Sequence, residues 1–78
     1  MTPQAFRDAL AALGMSQAAF ARFLARHGHP ARDVARSVRR WAEIGPPGEV
    51  VVILSIVRGL HDDAAAAEQI LRETAPPA

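Results

Sequence analysis

The stretch ARDVARSVRRW, residues 31–41, decides how this chain is read. It sets four arginines and one aspartate among small apolar residues and ends on the only tryptophan of the chain. At about 100° per residue, Ala31, Val34, Ala35, Val38, Trp41 and Ala42 gather in one sector roughly 120° wide, while Arg32, Arg36, Arg39 and Arg40 gather opposite. The pattern predicts a single helical rod over residues 30–43, opened by Pro30 with His29 as a modest cap. One flank docks on a core and the other displays guanidinium groups, with Asp33 and Glu43 sharing the polar side. Trp41, on the apolar flank, is expected in the core and not as a stacking platform for bases.

Upstream, two more helices have clear start and stop signals. Thr2 can cap the first, Pro3 suits its first position, Phe6, Leu10 and Leu13 recur at helical spacing, and Gly14 ends it. Ser16 can cap the second, with Met15 and Phe20 placed as a hydrophobic staple. Phe20, Phe23 and Leu24 form its buried stripe, Ala21 allows close approach of another helix, and Arg22 and Arg26 point away. Gly28 can close it.

Downstream, EIGPPGEV (43–50) demands a turn. The apolar run EVVVILSIVRGL (49–60) suits a strand as well as a buried helix. A helix is expected, because no second strand is available to pair with it. Gly59 or the His61-Asp62-Asp63 stretch should end that helix, and Asp62 or Asp63 should cap a last one over AAAAEQILRET (64–74). APPA (75–78) reads as a disordered tail.

Net charge is only +1, but it is unevenly spread. Residues 22–40 hold six arginines against Asp33, a local +5, whereas residues 41–78 carry −4. Such a local cation suggests a polyanionic partner. A chain of 78 residues can build only a small core, so an added interface is valuable. It has no cysteine, which excludes disulfides and thiolate metal sites. The longest apolar run, Val50 to Leu54, is too short to span a bilayer, and the first residues do not read as a targeting segment, so a soluble, cytoplasmic protein is expected. His27 and His29 lack further ligands, and no nucleophile elbow or phosphate-cradling glycine loop is present, so no metal, cofactor or enzymatic activity is expected.

At MSQAAFARFL (15–24) and SVRRW (37–41) the chain resembles the helix-turn-helix of the lambda-repressor and Cro-like group of bacterial and phage regulators. Ser16 and Gln17 match the pair that opens the first helix of that motif, Phe20 and Ala21 its apolar-alanine pair, and Val38 to Trp41 its recognition helix. Pro46 and Pro47 followed by Val50 to Val57 match the family's marked turn and later helix. The segment ARHGHPARDVAR (25–36) departs from the family's short turn, being longer by about two turns of helix. Extension of both flanking helices would push His29, Arg32 and Asp33 beyond the usual recognition surface.

The resemblance and the helical pattern together imply an all-α fold, a compact bundle of about five short helices containing a helix-turn-helix, as one DNA-binding domain over residues 1–74. The resemblance implies binding of double-stranded DNA, with Gln17 near a backbone phosphate and the recognition helix in the major groove. The arginine face supports the same partner, since phosphate contacts supply affinity and arginine pairs bidentately with guanine. Arg36, Ser37, Arg39 and Arg40 are assigned to the DNA surface, with Arg32, Arg22 and Arg26 as phosphate contacts. The same arginine face is also what an ordinary solvated helix displays.

If Val50, Ile53, Leu54 and Val57 fill the core, Val52 and Ile56 face elsewhere. Either the last helix folds over them or they form a two-fold contact in a homodimer reading a palindromic operator, and the dimer is preferred for so small a domain. The expected function is a homodimeric transcriptional repressor of a phage or mobile-element operon. The alternative is a protein-interaction module, such as an antitoxin or adaptor, using the same helices.

Overall fold

The computed structural model describes residues 1–74, which form four α-helices: α1 (Pro3–Ala12), α2 (Gln17–Arg26), α3 (Val34–Ile44) and α4 (Gly48–Thr74). Among the described residues there is no strand. The fold is therefore all-helical, but with four helices and not five. The tail expected at 75–78 lies outside the described residues.

The first two helices are bounded as their sequences predict. Thr2 Oγ1 accepts the Ala5 N–H at 3.0 Å, and Ser16 Oγ accepts the Ala19 N–H at 3.0 Å. Each side chain thereby satisfies a donor that the first turn leaves unpaired. Both helices end in the same Schellman geometry. Gly14 has φ 67°, with Met15 N–H bonding to Leu10 C=O and Gly14 N–H to Ala11 C=O. Gly28 has φ 81°, with His29 N–H bonding to Leu24 C=O and Gly28 N–H to Ala25 C=O.

The third helix starts later than its pattern suggests. Residues 30–33 are not helical; Asp33 is the cap, its carboxylate accepting the Arg36 N–H at 3.0 Å. His29 does not cap a helix. As the third residue past α2 it folds back, its Nδ1 accepting the Ala31 N–H at 3.2 Å and its ring standing edge-on to Trp41 at 5.7 Å. The extra residues between α2 and α3 thus form a loop over 27–33 instead of lengthening the flanking helices.

The fourth helix runs unbroken through Gly59, His61, Asp62 and Asp63, so the stop expected there and the cap expected at Asp62 or Asp63 do not occur. A single interior glycine costs about 1 kcal/mol relative to alanine, whereas ending one helix and nucleating another forfeits the bonds of a whole turn. The distal half also contains strong helix formers and two spaced pairs. Arg72 donates to Glu68 at 2.6 Å and Gln69 to Glu73 at 3.0 Å, each four residues apart.

The core gathers side chains from all four helices: Phe6 and Leu10, then Phe20, Ala21 and Leu24, then Val38 and Ala42, and finally Val50 and Leu54. Phe6 is completely buried at its centre and meets Phe20 edge-on at 5.9 Å and Trp41 edge-on at 6.4 Å. Trp41 is half-buried, packing its ring against this cluster from the rim. Arg7 adds a polar tie, donating to the Ala42 carbonyl near the end of α3 and to Gln4 Oε1 at 2.8 Å.

Only the first part of α4 takes part in this core. From Arg58 to Glu73 every residue is exposed, and the molecule measures 51 × 24 × 18 Å. The expected compact bundle is instead a small helical head with a projecting arm. Because the arm continues straight, it cannot fold over Val52 and Ile56, which remain 58% and 59% exposed. No described helix is long and apolar enough to cross a membrane.

Candidate nucleic-acid interface

Asp33 fixes the phase of α3, and that phase sorts its side chains. Val38 and Ala42 are buried, Val34 and Trp41 are half-buried against the core, and Arg36, Arg39 and Arg40 are exposed. Ala35, expected on the apolar flank, is exposed. Arg36, Arg39 and Arg40 line one shallow surface together with Glu43 and Ile44. The Arg72–Glu68 ion pair and the His61–Asp62 contact at 3.3 Å both lie on α4. The three arginine forks on α3 thus stand in water without an ion pair among the described residues, with Glu43 sharing their surface, and binding a partner does not first require breaking an internal pair.

Arg32 does not belong to this row. It sits in the loop before α3 and lines a separate groove with Arg22, Ala18, Ala21, Val34 and Ala35, between α2 and the start of α3. The loop thus brings Arg22 and Arg32 to one place although they come from different elements. Arg26 is exposed in the last turn of α2, where its charge is favoured by the helix dipole. Ser37 is half-buried on α3. Gln17, in the first turn of α2, lines a different recess with Arg7, Leu10, Met15 and Ser16. Arg7 carried no signal in the sequence, because its link to Ala42 spans 35 residues and follows no local period.

The two neighbouring histidines have separate structural tasks. His27 lies over Phe23 with ring centroids 4.7 Å apart, while His29 is held by Trp41 and the Ala31 N–H. Among the described residues no group of three histidine, aspartate or glutamate side chains is gathered in a way that could hold a metal ion.

What this surface can do chemically is bind anions through planar, multiply donating groups. An arginine fork matches a phosphate or the O6 and N7 edge of guanine, and it remains charged at any physiological pH. Comparison of the chain with protein-family models, curated proteins and solved structures finds no match in any of the three. The functional reading accordingly rests on the residues and their arrangement.

Proposed function

We propose that the protein is a sequence-specific DNA-binding regulator that acts as a homodimeric repressor of its own or a neighbouring operon in a phage or mobile element. The observation that carries this reading is the row of Arg36, Arg39 and Arg40, exposed on α3 and in no ion pair among the described residues. Behind that row, Val38 and Ala42 anchor the helix in the core, so the guanidinium groups are presented from a rigid element. The packing of α2 against α3 supports reading the pair as a helix-turn-helix with a long turn. In this reading α3 enters the major groove, while Arg32, Arg22 and Arg26 contact phosphates on its flanks and Gln17 contacts another near the start of α2. Repression then follows from occluding a promoter, since bound protein and polymerase cannot share the same stretch of DNA.

A binding titration over a salt series tests the reading. If a dimer contacts about eight phosphates, log affinity falls against log salt with a slope near −7. Absence of DNA binding at low salt would reject the proposal and favour the protein-interaction module.

A further inference from the structure

We propose that the projecting half of α4 is a dimerisation arm, with two copies of this chain pairing antiparallel along it and each arm lying in an apolar groove at the head of the other. This deepens the two-fold element of the reading above, but it is argued from α4 alone and does not depend on DNA.

The arm needs an explanation. Sixteen residues of helix, about 24 Å, extend beyond the head with every residue exposed. Helices in proteins draw most of their stability from packing one face, and this segment also carries the interior Gly59. Yet it is not polar all round: Leu60 is 65% and Leu71 69% exposed.

The apolar residues follow a definite spacing. Ile53, Val57, Leu60, Ala64, Ala67 and Leu71 succeed one another at alternating steps of four and three, the spacing of a two-helix seam. Where this seam leaves the head it enters an apolar groove walled by Phe23 and His27 of α2 and by Ile53, Ile56, Val57 and Leu60 of α4. An antiparallel register aligns the two seams throughout. Leu60 meets Ala64 of the second copy, Val57 meets Ala67, and Ile53 meets Leu71, which thereby enters the groove. Large residues oppose small ones at the centre, as close packing requires. In a parallel pair Ala64 and Ala67 would each face their own kind, leaving two thin layers.

Charge favours the same occupant. The arm from Arg58 onward carries Asp62, Asp63, Glu68 and Glu73 against Arg58 and Arg72, while α2, which walls the groove through Phe23 and His27, carries Arg26 in its last turn and no acid. In this register Glu68 and Glu73 are the acids that come to lie near the basic α2 of the second copy, while Asp62 and Asp63 fall at the two-fold axis. Overlap from Ile53 to Leu71 on both copies is about 28 Å long, and together with the α2 walls it reaches roughly the 1,200 Å² at which stable interfaces begin.

Sedimentation equilibrium of the full chain without DNA tests the proposal. A monomer–dimer equilibrium is expected for the native chain, weakened on the order of 100-fold or more by Ala64→Glu or Leu60→Glu. Ala66→Glu, exposed on the same helix but outside the seam, should leave it unchanged. Circular dichroism and thermal melting identify any variant whose head fails to fold. Because the chain has no cysteine, orientation is read directly by disulfide trapping: a mixture of Ile53→Cys and Leu71→Cys chains should cross-link, and Leu71→Cys alone should not. A native chain monomeric at every concentration, full dimerisation by Ala64→Glu, or cross-linking of Leu71→Cys to itself would each overturn the proposal. Since DNA is absent, none of these results depends on whether the chain binds it.

Discussion

Asp33 Oδ1 accepts the backbone N–H of Arg36 at 3.0 Å, and this one bond sets where α3 begins and therefore which arginines share its exposed face. Arg36, Arg39 and Arg40 follow the cap and project as a row, while Arg32 precedes it and joins Arg22 across a groove. A cap three residues earlier would have put all four on one helix.

Removing that cap should be felt as stability. Asp33→Ala is expected to cost about 1 kcal/mol, and Asp33→Asn, whose side-chain oxygen can still accept the bond, should lose only a few tenths. Urea denaturation of the two variants beside the native chain measures the difference. Equal loss in both would assign the effect to charge and not to the cap.

The two flanks of α3 should separate stability from binding. Arg39→Ala and Arg40→Ala are expected to change stability by less than about 0.5 kcal/mol, as exposed sites without partners do. Each should weaken DNA affinity, by about 1 to 3 kcal/mol if the arginine reads a base and by less with a shallower salt slope if it meets a phosphate. Phe6→Ala, at the centre of the core, should instead lose about 3 to 5 kcal/mol of stability. Thermal melts and anisotropy titrations on the same samples would refute the separation if all three variants unfolded alike.

Gly45 should be intolerant of any side chain. Its φ of 99° and ψ of 149° lie in a region that L-residues avoid, and an added Cβ would stand 3.0 Å from the Met1 carbonyl oxygen. Gly45→Ala is expected to destabilise the head by about 1 to 3 kcal/mol. Denaturation midpoints report the loss.

Gly59 should respond in the opposite sense. It is exposed within α4, and nothing approaches the position a Cβ would take. Gly59→Ala is expected to raise arm helicity and stabilise it by about 1 kcal/mol. Helical circular dichroism through a thermal ramp checks this, and a drop in helicity would show that the glycine serves a bend.

Several features were legible without coordinates because their causes lie within a few residues of one another. Thr2 and Ser16 bond to the third residue after them, Gly14 and Gly28 adopt the positive φ that ends the preceding turn, and Phe6, Leu10, Phe20 and Leu24 reveal their buried faces by period. The basic flank of α3 was visible in the same way, since Arg36, Arg39 and Arg40 are spaced to share one side of a helix.

What the residues by themselves determined, then, is where α1 and α2 start and stop, which faces are apolar, and which short segment carries the positive charge. Tertiary structure alone decided the rest. Pro30 and Asp33 are both valid openings for α3, and the choice fell to Asp33 once the Gly28 turn had carried His29 back against Trp41. Gly59 and Asp62 are both valid stops in α4, and neither acts, because a local preference of about 1 kcal/mol is too small to interrupt a cooperative helix already anchored in the head through Val50 and Leu54. The Arg7 bond to Ala42 is of the same kind. Such contacts depend on where whole helices come to rest, and no short-range pattern in the chain encodes that position.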